Sequence, residues 1–226
     1  MKIQSLIAAA SVVLFAALSA QAQGTFQNLN FEQADPVIVV GSPYYPYEVT
    51  AASALPYWTV TIDGVQQSQI TENDPSLGAT WVMVVGPGDA FGYAPIDGNY
   101  SVLLQGIVPG STASISQTGL IPTGTQSLLF EAQPGIGPMD VLIGSQVVPF
   151  AAVGSGANYT LYGANISAWA GDTEELTFSA LGGSYNNWNV DDISFSPTSV
   201  PEPSIVALTA IGGLLFGTRK WFAGRR

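Results

Sequence analysis

The chain contains 226 residues, carries a formal net charge of −11, and has neither histidine nor cysteine. Its basic residues all lie near the two ends: Lys2, Arg219, Lys220, Arg225 and Arg226. Residues 23–199 therefore contain no basic side chain. Binding of nucleic acids or nucleotides by this body is excluded, because nothing there neutralises phosphate charge. The composition also excludes a Ser-His-Asp triad, a cysteine nucleophile and the usual Cys/His zinc sites.

The N-terminus has the three parts of a secretory signal peptide. Met1-Lys2 is a short basic region, Leu6–Leu18 is apolar, and Ala20-Gln21-Ala22 is a small-residue cleavage site. We therefore predict that residues 1–22 form a signal helix and that the mature chain starts at Gln23. A retained signal anchor is the alternative, although the apolar run is too short to span a bilayer comfortably.

The body, residues 23–199, is predicted to be all-β and to form a single jelly-roll β-sandwich. Short runs of Val, Ile, Thr and aromatic residues alternate with Gly, Pro, Asn and Asp at a spacing of roughly ten residues. Pro36–Tyr57 is predicted to be a long loop, and Ile166–Gly171 a short turn. The predicted strands are Gln27–Glu32, Tyr57–Ile62, Thr80–Val85, Tyr100–Gln105, Thr112–Gln117, Ser127–Ala132, Val141–Ile143, Gln146–Phe150, Tyr159–Ile166, Glu175–Ala180 and Val190–Ser196.

Residues 200–226 form a separate tail. A rigid, extended Pro-Glu-Pro break comes first, and the uncharged run Ile205–Phe216 follows it. A helix from Ile205 to Phe222 would be roughly 27 Å long, close to the ~30 Å hydrocarbon core of a bilayer. We predict a C-terminal transmembrane helix with a cytoplasmic basic end, a buried C-terminal helix being the alternative. The basic cluster is Arg219, Lys220, Arg225 and Arg226.

This tail resembles the PEP-CTERM sorting domain of exopolysaccharide-producing Gram-negative bacteria. Pro201, Glu202 and Pro203 match the Pro-Glu-Pro motif of that family residue by residue. The resemblance implies processing by an exosortase, a membrane transpeptidase-like protease, and delivery to the cell envelope or the extracellular matrix. It also implies an exopolysaccharide or biofilm setting.

The two ends of the body resemble a known architecture. Asn28–Glu32 and Trp188–Phe195 are similar to the first and last strands of galactose-binding-like jelly rolls, a fold shared by many non-catalytic carbohydrate-binding modules. In that fold the terminal strands often supply a structural Ca²⁺ site, so the resemblance implies such a site here.

A carboxylate pair in the last strand points to the same metal. Asp191 shares strand parity with Ile193 and Phe195, and we expect it to face the core. An inward carboxylate without a cationic neighbour needs hydrogen-bond donors or a metal ion. We therefore hypothesise that Glu32 and one of Asp191 or Asp192, with backbone carbonyls, hold Ca²⁺. The alternative is a solvated turn with backbone hydrogen bonds.

Aromatic residues give a second candidate site. Five tyrosines lie in or near predicted loops: Tyr44, Tyr45, Tyr47, Tyr57 and Tyr185. Tyrosine rings stack on sugar faces while their hydroxyl groups make hydrogen bonds. Tyr44, Tyr45 and Tyr47 are the candidate glycan-binding residues. The alternative is that the tryptophans fill the core and the tyrosines cover it.

The sequence thus predicts an exported, non-enzymatic protein of the envelope or matrix, sorted through its tail and linked to exopolysaccharide or biofilm. A carbohydrate-binding module with an aromatic loop site is the alternative function. Glycoside hydrolysis by two carboxylates is the third, but no catalytic pair can be chosen from the sequence. The expected partners are the exosortase, the membrane and an extracellular polysaccharide, and no cofactor besides Ca²⁺ is expected.

Overall fold

The computed structural model describes residues 24–43, 46–75, 78–88, 92–135, 137–183 and 186–200. Within these ranges the chain is built almost entirely from strands, so the predicted all-β class is confirmed. The elements are β1 (Glu48–Thr50), α1 (Ala51–Ala54), β2 (Thr59–Ile62), β3 (Val65–Gln66), β4 (Gln69–Glu72), β5 (Trp81–Val85), β6 (Ser101–Gly106), β7 (Thr112–Leu120), β8 (Ser127–Gln133), β9 (Met139–Ile143), β10 (Gln146–Val148), β11 (Phe150–Ser155), β12 (Thr160–Asn165), a 3₁₀ turn (Ser167–Trp169), β13 (Thr173–Leu181) and β14 (Asn186–Ser196).

The strands form two sheets packed face to face. The first sheet has eight strands in the order β1-β4-β5-β6-β14-β8-β12-β11, and the second has six in the order β10-β9-β13-β7-β2-β3. From β6 to β14 the chain alternates between the sheets, with the hairpins β9–β10 and β11–β12 each counting as one step. This alternation is the connectivity of a jelly roll and confirms the predicted β-sandwich.

The core lies between the two sheets and follows from period-2 patterning. In β8, Leu128, Phe130 and Ala132 are fully buried, and the residues between them are half-buried. In β13, Leu176 and Phe178 face the same core. The rings of Phe130 and Phe178 meet edge to face at 5.1 Å, so aromatic packing joins the two layers.

The N-terminal segment differs from the prediction. Gln27–Glu32 was expected to be a strand, but Asn28 and Phe31 have positive φ angles of 50° and 56°, and the chain turns there. Asn28 Oδ1 accepts a hydrogen bond from the Gln33 amide at 3.0 Å, as Asn side chains commonly do in turns. The alternating residue types predicted a strand here, but local hydrogen bonding by the Asn28 side chain stabilises a turn instead.

The predicted loop Pro36–Tyr57 is also more ordered than expected. It contains β1 and α1, and β1 pairs antiparallel with β4. β4 in turn pairs parallel with β5, which follows it after a short stretch of chain. Such short strands depend on their tertiary partners, and the sequence alone does not reveal them.

The terminal predictions lie outside the described residues. These are the signal helix of residues 1–22 and the tail with its Pro201-Glu202-Pro203 motif, transmembrane helix and basic cluster. In the part of the chain that the structure describes, no helix has the length and apolar character needed to cross a bilayer.

Candidate functional site

Glu32 is held by a turn that precedes β6. Its Oε1 accepts hydrogen bonds from the backbone amides of Asn99 at 2.7 Å and Tyr100 at 2.9 Å, and its Oε2 accepts one from Asn99 Nδ2 at 3.0 Å. Burial raises the pKa of Glu32, but these three hydrogen bonds outweigh burial and leave the pKa below its usual value. The turn is therefore built around an ionised carboxylate.

Gly98 makes this turn possible. Its φ is +58°, and a Cβ added at this position would overlap the carboxylate of Glu32. Only glycine combines the left-handed backbone with the close approach to Glu32 that the turn requires.

Asp191 is the most deeply buried carboxyl group of the site, with 1% of its surface exposed. Its Oδ2 accepts a hydrogen bond from the Asp97 amide at 3.1 Å, and its Oδ1 accepts one from the Asp192 amide at 2.8 Å. Burial raises the pKa of Asp191 to about 8; the two hydrogen bonds oppose this rise, and the negative charges of Asp192 and Glu32 add to it. The group is therefore largely protonated at neutral pH.

A β-bulge decides where Asp191 points. Asp191 pairs with Glu131, the register then shifts, and Ser194 pairs with Leu129. Asp192 sits in the bulge with a φ of 42°. Because Glu131 alternates with core residues of β8, Asp191 lies on the outer face of the eight-stranded sheet, whereas Ile193 packs in the core. The expectation that Asp191 faces the core together with Ile193 is therefore wrong, because the bulge reverses the parity.

Glu131 and Asp192 complete a group of carboxylates around the bulge. Burial raises the pKa of Glu131, the charges of Asp192 and Asp97 raise it further, and a hydrogen bond from Tyr159 lowers it. Burial also raises the pKa of Asp192, with smaller contributions from the charges of Asp97 and Glu32. Residues 24–200 contain no basic side chain that could neutralise this group.

The outward side chains of β14 hold the segment between β5 and β6 against the sheet. Asn187 Nδ2 donates to Tyr93 Oη at 2.7 Å, and Asn189 Nδ2 donates to the Ala94 carbonyl at 3.1 Å. Asp191 adds the third contact through the Asp97 amide. Residues 93–97 therefore cover part of this face. The alternation of Asn187, Asn189 and Asp191 is visible in the sequence and could have indicated this row of contacts.

The fit of the predicted calcium site can be tested against this geometry. The structure brings Glu32, Asp191 and Asp192 close together: the charge of Glu32 raises the pKa of both aspartates, and the charge of Asp192 raises that of Asp191. Glu131 Oε2 is buried and lacks a hydrogen-bond partner among the described residues. However, no group of three or more acidic side chains in the described ranges is arranged to hold a metal ion. A cation here would therefore also need backbone carbonyls or water as ligands.

Two tryptophans among the described residues are buried, and two tyrosines are exposed. Trp58 and Trp188 are each 6% exposed, and their indole N–H groups donate to the carbonyls of Asn28 and Gly137. Tyr47 is 43% exposed, and Tyr57, at the end of the predicted loop, is 57% exposed. The other predicted glycan-binding residues, Tyr44 and Tyr45, lie outside the described residues.

Tyr57 also has an unusual backbone. Its φ is 73°, a left-handed conformation that is a genuine outlier for a bulky side chain. The neighbouring Trp58 side chain is fixed in the core against Phe31, with ring centroids 5.6 Å apart. The core packing of Trp58 thus holds Tyr57 in a strained and exposed position.

Comparisons with known proteins give distant structural likenesses. No family model matches the chain, and no curated protein matches it significantly. A family 61 carbohydrate-binding module solved with β-1,4-galactotriose aligns with a TM-score of 0.41 and 14% identity, over 77% of this chain and 99% of the module. A family 29 module aligns at 0.34 and 13%, over 65% and 98%. The family 11 module from Clostridium thermocellum, solved with a mixed-linked tetrasaccharide, aligns at 0.31 and 6%, over 69% and 97%. None of these likenesses assigns a ligand or a site to this chain.

Proposed function

We propose that this protein is an exported, non-enzymatic module that binds an uncharged extracellular polysaccharide. The observation that carries the proposal is the exposure of two tyrosines, Tyr47 and Tyr57, on a rigid sandwich whose tryptophans Trp58 and Trp188 are committed to the core. Exposed aromatic rings stack on the apolar faces of sugars, and their hydroxyl groups make hydrogen bonds.

The charge of the body supports an uncharged ligand. Residues 24–200 have acidic side chains and no basic ones, so an anionic polymer would be repelled. A neutral polysaccharide needs no counter-charge, and hydroxyl and aromatic groups are sufficient to bind it.

The most strongly perturbed carboxyl group does not favour catalysis. Asp191 is 1% exposed and is covered by the Asp97 turn, so it does not contact solvent. A glycosidase needs both of its carboxylates to reach the bond that is cleaved. We therefore propose binding without turnover, and hydrolysis of a polysaccharide by the purified protein would contradict this part of the proposal.

The binding function is tested with the purified full-length protein and a panel of neutral polysaccharides: cellulose, chitin, xylan and β-1,4-galactan. We expect retention on at least one of them, and weaker retention of the variants Tyr47→Ala and Tyr57→Ala. Val40→Ala is the matched control, because Val40 is 87% exposed and has no ring. If the wild-type protein is retained on none of the four, the proposal fails.

Sorting through the tail is part of the same proposal. Pro201, Glu202 and Pro203, followed by an apolar run and the basic cluster, support export to the envelope or matrix and processing by an exosortase. Mass spectrometry of the mature protein tests both ends. We expect a chain that starts at Gln23 and lacks the basic end; recovery of the intact chain from the cytosol would contradict it.

A structural Ca²⁺ ion is a second proposal for this body. Glu32 and Asp192, together with backbone carbonyls or water, would supply oxygen ligands, and bound Ca²⁺ would supply the positive charge that residues 24–200 lack. The ion would stabilise the Glu32 turn and the β14 bulge. Calorimetric titration of the purified protein with CaCl₂ tests it, and an absence of binding heat would contradict it.

A further inference from the structure

The outer face of the six-stranded sheet carries a regular array of hydroxyl groups. Two rows of three Ser and Thr residues cross the adjacent strands β2, β7 and β13. We call these six residues the hydroxyl face: Thr59, Thr61, Ser114, Ser116, Thr177 and Ser179.

The strand register places the two rows side by side. In one row Ser116 pairs with Thr59 on one side and with Thr177 on the other. In the second row Ser114 pairs with Thr61 and Ser179. Neighbouring strands lie ~4.8 Å apart and alternate residues along a strand ~6.7 Å apart, so the backbone positions of the six residues form a regular array with these spacings.

The intervening residues show that this array points away from the core. Between the two rows, Ile115 pairs with Val60 on one side and with Phe178 on the other. All three side chains are buried in the core between the sheets. Side chains alternate between the two faces of a strand, so the hydroxyl groups point outward.

Serine is an unusual choice at the centre of a sheet. Larger β-branched and aromatic side chains stabilise strands better, yet Ser114, Ser116 and Ser179 occupy central positions. Ser114 Oγ donates to Ser179 Oγ at 2.8 Å. Ser116 is only 8% exposed, and no hydrogen bond of its hydroxyl group is found within the described residues. The recessed serines keep the face flat and leave Ser116 available to a ligand that lies on it.

We propose that the hydroxyl face is the surface on which an extended, neutral polysaccharide chain lies. This inference rests on the proposed polysaccharide-binding function and assigns it to a surface. Tyr57 supports the assignment, because this exposed tyrosine lies two residues before Thr59 in the chain.

The chemistry of the face matches such a ligand. The six residues are uncharged, and Asp140 and Glu175 lie only at the rim, paired with Ser179 and with Thr118. On the same side as Asp140, Leu142 and Val147 continue the Thr177 row and offer apolar contact to the C–H faces of sugars.

The matched test removes hydroxyl groups without changing side-chain shape. The triple variant Thr59→Val, Thr61→Val, Thr177→Val keeps the volume and the strand propensity of each residue, so we expect it to fold. Retention of the full-length protein on the polysaccharide that the wild type binds is then measured. We expect at least about a tenfold loss of affinity, since three hydrogen-bonding groups are removed.

Two further variants make the outcome decisive. Thr123→Val removes an exposed threonine hydroxyl from a loop outside the face and should bind as the wild type does. Thr59→Glu places a carboxylate at an exposed position of the face and should abolish retention even if the triple variant does not fold. If both face variants bind as the wild type does, the inference is overturned while the polysaccharide-binding function stands. If the wild type itself binds none of the panel, both are overturned.

Discussion

Asp191 and Glu131 stand directly opposite each other in the ladder between β14 and β8. Like charges in opposite positions destabilise a sheet, and residues 24–200 contain no basic side chain to offset them. A proton or a metal ion on this pair would reduce the repulsion. Burial is the main cause of the raised pKa of both groups, and the negative charge of Asp192 adds to the rise in each.

The first prediction concerns the dependence of stability on pH. The pKa of the Asp191 carboxyl group is about 8 in the folded protein and 3.8 in the unfolded chain. Between these two pH values, the folded state therefore binds a proton that the unfolded state has lost. Its stabilising effect is complete at low pH and is lost as the pH rises towards 8, with a slope of at most about 1.4 kcal/mol per pH unit. The raised pKa values of Glu131, Asp192 and Glu72 act in the same direction.

Thermal unfolding in EDTA between pH 5 and pH 8 measures this effect. We expect the melting temperature to fall as the pH rises, and Asp191→Asn to flatten the dependence. Glu175→Gln, an exposed carboxylate on β13, is the control and should keep the wild-type slope. A melting temperature that rises with pH over this range would show that the carboxyl groups of the bulge are ionised in the folded state.

The second prediction concerns Ca²⁺. The ion competes with protons for the same carboxylates, so we expect it to raise the melting temperature more at pH 8 than at pH 5. A hundredfold excess over Kd corresponds to about 2.7 kcal/mol of added stability. Glu32→Gln and Asp192→Asn should reduce the effect, whereas Glu175→Gln should not. Equal melting temperatures in CaCl₂ and EDTA at pH 8 would rule out the ion.

The β-sandwich could be predicted from the sequence because its long strands follow period-2 patterning. In Thr112–Leu120 and Thr173–Leu181, core-facing residues alternate with outward-facing ones. This alternation can be recognised without knowing which strands pair. β1 and β4 could not be predicted, because these short strands depend on pairing with other segments of the chain.

The candidate site was only partly predictable for a related reason. Glu32 and Asp191 stand out in the sequence because the body lacks cations. Their true surroundings depend on a single extra residue in β14: the bulge at Asp192 moves Asp191 to the outer face, beside Glu131. No pattern of residue types marks a bulge with a non-glycine residue at positive φ. The hydroxyl face was missed because it exists only once β2, β7 and β13 are in register.

The third prediction tests the Glu32 turn. Gly98→Ala places a Cβ against the Glu32 carboxylate and also forces alanine into a left-handed conformation. We expect a loss of about 2–3 kcal/mol in the free energy of unfolding, measured with urea. Gly110→Ala is the matched control, because Gly110 has a φ of +82° and no atom within 4 Å of the added Cβ. Its cost should be about 1 kcal/mol, from backbone strain alone. Equal costs for the two variants would mean that the contact with Glu32 adds nothing.

The fourth prediction separates stability from binding at Tyr57. A left-handed backbone costs a bulky residue roughly 1–2 kcal/mol, whereas asparagine tolerates it better. Tyr57→Asn should therefore raise the free energy of unfolding by about 0.5–1 kcal/mol and, at the same time, weaken retention on the polysaccharide. Tyr57→Phe keeps both the ring and the strain, so its stability and most of its retention should match the wild type. If Tyr57→Asn is stabilised but binds as well as the wild type, the strained tyrosine is not part of the binding surface.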